Sequence, residues 1–199
     1  QLDKARQAFS TVTQDDEAGD FARRLALINT VAPDAHGNRI VGTCQLPQDT
    51  RLRDSVIINS TIDSLGDVRG AVIVDSDLGH LDAAPGAVAV ACHAANLSLG
   101  AESFAFRSIA LDKPLALNAR TVHTSIPKDP THVDTGLEDY RFSLDADPGA
   151  KPTYDTPQSD NPASFATLFA RMRQRDVSPD AIEASLDARY PRKLPLPDR

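Results

Sequence analysis

Four side chains near the middle of this 199-residue chain have the types and the spacing that chemistry requires. Asp77 and His93 lie sixteen residues apart, and Arg107 and His123 are separated by the same interval. A carboxylate beside an imidazole can orient it as a general base, and a guanidinium beside an imidazole can hold an anion. We therefore predict catalytic roles for His93, His123 and Asp77, and ligand binding by Asp75 and Arg107.

The interval of sixteen residues is the period of a repeat that runs from Asn38 to Val133. The third place is apolar in five of its six blocks and the ninth in all six. The seventh is always small and holds Cys44, Ser60, Ser76, Cys92, Ser108 and Thr124. One short strand and two further inward-pointing corners per block are typical of one coil of a parallel β-helix. Stacked coils are about 4.8 Å apart, so equivalent places form columns. The polar columns at the sixth and eighth places contain all the predicted site residues.

We predict a mainly β fold, a single-stranded parallel β-helix of about six coils that is flanked by short N- and C-terminal helices. The third, ninth and fifteenth places are expected to point inward. They lie six residues apart, as in left-handed β-helices, which favours the left hand; each coil is two residues short of three hexads, so the handedness stays open. An antiparallel β-sandwich is the alternative, but only Leu65-Gly66-Asp67 and Pro85-Gly86 resemble hairpin turns.

The repeat divides the chain into four predicted regions. These are an N-terminal helical cap at 1–37, the parallel β-helix at 38–133, a Pro- and Asp-rich wrapping loop at 134–160, and C-terminal helices with a tail at 161–199. Asn161 and Ser178 precede prolines and are the predicted N-caps of the last two helices. The open ends of a solenoid must be covered, so capping and side packing are the roles expected of these helices.

Cys44 and Cys92 fall in one column three coils apart. That spacing separates them by roughly 14 Å, which is too far for a disulfide. We predict two free, buried thiols and, from them, a reducing cytoplasmic location. The chain begins at Gln1, and we expect it to be a processed product or a piece of a longer protein.

The composition argues against several classes of partner. A net charge of −7 and a pI near 5.1 disfavour nucleic-acid binding, and no apolar run is long enough for a membrane span. We predict no metal and no cofactor, because the chain lacks His-Glu-x-x-His, paired Cys-x-x-Cys and glycine-rich phosphate loops. His80 is expected to be a solitary, solvated side chain at a corner.

Two consecutive blocks carry a family resemblance. The stretches Asp54–Ile62 (DSVIINSTI) and Gly70–Leu78 (GAVIVDSDL) resemble the rungs of the C-terminal β-helix of sugar-1-phosphate nucleotidyltransferases, such as the glucose-1-phosphate adenylyltransferases. The resemblance covers Asn38 to Ile126, and the glycine-rich loop of the family's catalytic domain is absent from the sequence. It therefore implies an accessory part that serves oligomerisation or effector binding. The implied partners are another copy or an upstream catalytic domain, and the implied ligand is a sugar phosphate or a nucleotide.

Two other families share such coils. Hexapeptide acyltransferases use an imidazole base between subunits, a role that only His93 or His123 could take here. The short β-helix of the tubulin-cofactor-C and cyclase-associated proteins binds protein partners. We predict a non-catalytic domain for oligomerisation or ligand binding; the alternative is an acyltransferase with a histidine base, so whether the protein is an enzyme stays open.

Overall fold

The fold is a parallel β-solenoid of about five turns, with 45% of residues in strands and 11% in short helices. The structure is a computed structural model, and it describes residues 30–48, 51–129, 136–145, 155–158, 161–174 and 179–193. The predicted fold class is confirmed. The preference for a left hand stays a prediction, and the two N-terminal helices expected before residue 30 lie outside the described residues.

Each full coil contributes one strand to each of two sheets. The seven-stranded sheet has the order β1 (Arg39–Val41), β3 (Val56–Ile58), β5 (Val72–Val74), β7 (Val88–Val90), β9 (Phe104–Phe106), β12 (Thr121–Pro127) and β13 (Leu137–Ser143). The six-stranded sheet has the order β10 (Ile109–Ala110), β8 (His93–Leu99), β6 (Asp77–Ala83), β4 (Thr61–Arg69) and β2 (Leu52–Arg53), and β11 (Leu115–Leu117) also pairs with β8. The strand pairs are parallel except for β12 and β13, which are antiparallel.

The seventh place is inward and small because a tight corner precedes it. Residues at the sixth place adopt the left-handed conformation, with φ of 45–53° at Asn59, Asp75, Ala91 and Arg107. The buried Ser60 hydroxyl accepts the amide N–H of Ser76 at 3.0 Å, and Ser76 accepts that of Cys92 at 3.1 Å. At this corner the buried amides are not reached by the hydrogen bonds of a sheet, so the serine hydroxyls satisfy them. Both cysteines are free as predicted, although Cys44 is half-buried and only Cys92 is buried.

The inward place of the short strand is the fourth and not the third, so that part of the prediction is wrong. Ile57, Ile73, Ala89 and Ala105 are fully buried at the fourth place, whereas the third-place residues of these strands are half-buried and point outward. The short strands are apolar on both faces, so alternation alone could not distinguish inward from outward. The left-handed residue at the sixth place then interrupts the alternation of inward and outward side chains. Both the fourth and the seventh places therefore point into the solenoid.

The coils are also not all sixteen residues long. Ile40 pairs with Ile57 and Phe104 pairs with Val122, which gives offsets of 17 and 18 residues. The two extra residues of the last coil place Ser125 next to Arg107, whose carbonyl accepts the Ser125 N–H at 3.2 Å. The prediction that Arg107 and His123 share one outward column is therefore wrong, and His123 points inward beside Ala105.

A register shift between Leu65 and Val68 alters the fifteenth place. Val68 pairs with Ala83, so the inward positions of the later coils are taken by Ala83, Leu99 and Leu117. Ala84 is only half-buried and Ala116 is exposed, contrary to the expectation for the fifteenth place. The ninth place is inward as predicted from Leu46 to Ala110, but Ile126 in the last coil points outward and packs near Tyr140 outside the solenoid.

Two described helices follow the solenoid, α1 (Phe165–Gln174) and α2 (Pro179–Arg189). Leu168 of α1 packs with Tyr140, Ala163, Ile126 and Phe142 in a second, smaller core. Phe142 pairs with Val122, whose side chain points outward, so α1 covers the outer face of the seven-stranded sheet at β12 and β13.

Candidate functional site

The register confirms that Asp77 and His93 are neighbours, because they are paired at the start of β6 and β8. The chain after α2 crosses this corner of the solenoid. Arg192 donates a hydrogen bond from Nη1 to the carbonyl oxygen of Asp75, and the amide of Lys193 donates to Oδ2 of Asp77. The ammonium group of Lys193 also lies 2.5 Å from Oδ2 of Asp63. Asp75 and Asp77 are thus engaged by the C-terminal segment of the chain.

His93 and Arg107 line a hollow of about 30 Å³ beneath α2, together with Leu186, Asp187, Tyr190 and Arg192. A volume of this size admits water or one small polar group. His93 is 7% exposed, and its burial, followed by the charge of Arg192, lowers the pKa of the imidazole. The ring is therefore neutral at neutral pH. Asp77 accepts its hydrogen bond from the Lys193 amide, and within the described part of the chain no hydrogen bond joins it to the His93 ring.

His123 lies at the end of the solenoid interior, in a cluster that we call the buried array, Ser108, His123 and Asp139. Nδ1 of His123 is 2.8 Å from Ser108 Oγ, and Nε2 is 3.6 Å from Asp139 Oδ1. Ser108 and His123 have no exposed surface. A general base must reach its substrate, and neither side chain of this pair has a surface that a substrate could contact.

The Asp139 carboxylate is the charged member of the buried array. Ser125 Oγ donates to it at 2.9 Å and Lys113 Nζ donates at 2.8 Å. The neighbouring His123 ring has the largest effect and, with Lys113 and Ser125, holds the pKa of Asp139 well below its usual range, while burial acts in the opposite direction.

A second group of the same residue types lies on the outer surface of the six-stranded sheet, and we call it the exposed array, Ser64, His80 and Asp82. Ser64 Oγ is 2.9 Å from Nδ1 of His80, and Nε2 of His80 is 3.1 Å from Oδ2 of Asp82. The expectation that His80 is solitary is wrong. Two sequence signals could have located the array, because Ser64 and His80 occupy the same place of adjacent coils and Asp82 follows two residues later on one strand face.

The backbone around Asp82 holds its carboxylate in place. Oδ1 accepts the amide N–H of Asp67 at 2.9 Å. A Cβ atom at Gly66 would lie 1.6 Å from that same oxygen, so only glycine leaves room for the carboxylate. An open hollow of about 400 Å³ begins at Asp82, and its apolar lining includes Ala84 and Pro85.

The outer face of the seven-stranded sheet is a third feature, and it is apolar from β3 to β9. We define this outer face by its outward side chains, which are Val56, Ile58, Val72, Val74, Val88, Val90, Phe104 and Phe106. The Phe104 and Phe106 rings stack with centroids 6.1 Å apart, and the Arg107 guanidinium lies 5.3 Å from the Phe106 centroid. Phe106 is 39% exposed and Ile58 is buried, and the other six side chains are half-buried. No charged side chain stands in these eight positions.

The fold therefore defines a parallel β-solenoid with two serine–histidine–aspartate arrays and an apolar outer face. Comparison of the chain with models of protein families, with curated proteins and with solved structures gives no match. The helices in the described part of the chain are too short or too polar to cross a bilayer. Among the described side chains, no group of three or more His, Cys, Asp or Glu residues is arranged to hold a metal ion.

Proposed function

We propose that the protein is an assembly domain that associates with a second copy of itself through the outer face of the seven-stranded sheet. The single observation that supports this function is the run of eight uncharged apolar side chains on four adjacent outward strand faces. Contiguous apolar surface of this kind is uncommon on a monomer and is typical of interaction sites.

A second copy is the occupant that the charge and the regularity of the face favour. Two copies each carry a net charge of −7, so they repel one another except where charged groups are absent. The outer face is such a place. Its outward side chains form two columns that consist mostly of valine. A two-fold axis can therefore bring the same columns of two copies together in an isologous interface.

The chain itself shows that this face is suited to packing. At the β12–β13 end, α1 covers it through Leu168, which contacts Tyr140 and Phe142. Tyr140 is completely buried there, although it lies on an outward face. The β3–β9 portion presents the same kind of surface, and partner contact would remove its half-buried side chains from water.

The test is the effect of one negative charge on the mass of the protein in solution. Val90→Glu and Phe106→Glu each place a carboxylate on the outer face, and Leu111→Glu places one at a 49% exposed leucine elsewhere. We expect dimers from light scattering across micromolar concentrations for the wild type and Leu111→Glu, and monomers for the two face variants.

Circular dichroism separates loss of assembly from loss of folding in these variants. Wild-type protein that is monomeric throughout contradicts the proposal. Dimers that persist in both folded face variants contradict it as well, because they would show that association uses another surface.

The relation to sugar-nucleotide enzymes, the cytoplasmic location and the sugar phosphate or nucleotide ligand are further parts of this proposal. The hollow beneath α2 has room for one small polar group only, so it supports the phosphate end of such a ligand, for which Arg107 and Arg192 in its lining supply guanidinium groups. Calorimetric titration with glucose 1-phosphate and with ATP tests it. Binding that Arg192→Met abolishes is expected, and the absence of heat with both compounds contradicts this part of the proposal.

A further inference from the structure

We infer that the exposed array is an esterase site, in which Ser64 is the nucleophile, His80 is its base and the substrate is a neutral carboxylic ester with an apolar tail. This activity goes beyond the proposed assembly and is independent of it, because the array lies on the other sheet. Nothing in the repeat requires these three residue types at these positions.

The hydrogen bonds of Ser64 have two alternative patterns, and one of them activates the hydroxyl. Ser64 Oγ lies 2.9 Å from the carbonyl oxygen of Gly79 and 2.9 Å from Nδ1 of His80. A hydroxyl has one proton, so it donates either to the carbonyl or to the ring. When His80 is neutral and Nε2–H points to Asp82, Nδ1 has a free lone pair and accepts the Ser64 proton. When the ring is doubly protonated, the serine donates to Gly79 and the nucleophile is inactive.

Asp82 selects the active tautomer of His80. Oδ2 of Asp82 is 3.1 Å from Nε2 of His80, and Oδ1 is fixed by the Asp67 amide, so the carboxylate cannot turn away without losing a bond. An aspartate in this position keeps the ring proton on Nε2 and stabilises the imidazolium that forms during attack. Asp82 is thus a positioning residue, because it acts through His80.

The surroundings define the substrate class. Ser64 is exposed, so an ester can approach it from solvent. The hollow of about 400 Å³ begins at Asp82, about 7 Å along the strand from His80, and its apolar walls suit an aliphatic tail. The hollow is lined by Asp67, Arg69 and Asp82, and Arg69 is paired with Asp67, so one negative charge remains uncompensated and favours a neutral ester over an acidic one.

The solenoid also places an amide donor beside Ser64. Gln45 bridges to Thr61 and Leu52 pairs with Val68, both with an offset of sixteen residues. The same offset puts Gln48 next to Ser64 in the preceding coil, and Gln48 is exposed. We assign its side-chain amide to the negative charge that develops on the substrate oxygen.

The reaction uses only the ester and water. Ser64 Oγ attacks the carbonyl carbon while its proton passes to Nδ1 of His80, and the carbon–oxygen bond to the alcohol breaks as that proton moves to the leaving oxygen. Water then attacks the acyl-serine, with its proton passing through His80 to Ser64 as the acid is released. No oxidant, reductant or metal is needed.

The test is covalent labelling of the full chain with an alkyl fluorophosphonate, located by mass spectrometry. Attack by Ser64 forms a phosphorus–oxygen bond and releases fluoride, and we expect Ser64 to be the labelled serine. His80→Gln should slow labelling on the order of 100-fold, the usual contribution of a general base. Asp82→Asn should slow it less and change its pH profile.

Two serines of the same protein are internal controls. Ser98 is exposed on the same sheet and has no histidine partner among the described residues, and Ser108 has a histidine partner but no exposed surface. Neither should react. Labelling of Ser64 at the rate of Ser98, or labelling that His80→Gln leaves unchanged in a folded variant, overturns the proposal. Faster hydrolysis of p-nitrophenyl octanoate than of the acetate supports the assigned tail, and the reverse order overturns that assignment.

Discussion

The exposed array and the buried array contain the same three residue types in the same order of contacts, yet their surroundings differ. Serine lies 2.9 Å from Nδ1 of the histidine in one and 2.8 Å in the other. The His80 side chain is 35% exposed and that of His123 is closed to solvent. The exposed array can therefore exchange protons with a substrate. The buried array can only exchange them within the fold, so its contribution is to stability.

The histidine–aspartate distances support the same distinction. Nε2 of His80 is within hydrogen-bonding distance of Asp82, whereas Nε2 of His123 is 3.6 Å from Asp139 and has no hydrogen-bond partner among the described residues. Asp139 instead accepts from Ser125 and Lys113. Asp82 is hydrogen-bonded to its histidine, whereas Asp139 links β13 to β12 and to the loop that carries Lys113.

The largest expected difference between the arrays is in the free energy of unfolding. His123→Ala removes a fully buried ring and with it the hydrogen bond between Ser108 Oγ and Nδ1. We expect a loss of about 3 kcal/mol from the cavity and the lost hydrogen bond together. His80→Ala, the matched change in the exposed array, should cost about 1 kcal/mol or less.

Urea titration followed by circular dichroism measures both variants under the same conditions. Equal losses from the two variants would show that burial does not distinguish the arrays. A larger loss from His80→Ala would reverse the comparison and assign the structural role to the surface cluster.

The sequence predicted the fold from one property, the sixteen-residue recurrence of apolar and small residues, and it paired Asp77 with His93 correctly. It could not place His123, because two extra residues in the last coil and one in the first leave no trace in the apolar pattern. It also could not identify the third place as outward, since Val56 and Ile57 are both aliphatic. Which of the two is buried depends on the left-handed backbone conformation at the corner that follows.

The exposed array was missed for a different reason. Its members are unremarkable one at a time, and only the register of β4 on β6 and the kink at Gly66 bring Ser64, His80 and Asp82 together. The contact of Asp139 with the last coil was equally hidden, because it depends on β13 returning antiparallel to β12.

The second prediction concerns the pH dependence that the buried array gives to the fold. The folded-state pKa of Asp139 lies below the usual value of 3.8, so its ionised form stabilises the protein above pH 3.8. This contribution is lost as the pH falls through the folded-state pKa. The difference in unfolding free energy between the wild type and Asp139→Asn should thus be constant near neutral pH and shrink in acid.

Urea midpoints recorded from neutral pH into the acid range measure that difference. Asp112→Asn removes a charge at an exposed position of the neighbouring loop and controls for the change in net charge. A difference that grows as the pH falls would contradict the direction assigned to Asp139.

The smallest expected effect on stability belongs to Gly66→Ala, which tests whether the exposed array depends on the position of Asp82. The added methyl group would lie 1.6 Å from Asp82 Oδ1, and a flexible side chain can move away at little cost. We expect the unfolding free energy to change by about 1 kcal/mol or less, while the Asp67–Asp82 bond is lost and fluorophosphonate labelling of Ser64 slows. Labelling that stays at the wild-type rate in Gly66→Ala would show that Asp82 does not position His80, and the exposed array would then differ from the buried one only in its exposure.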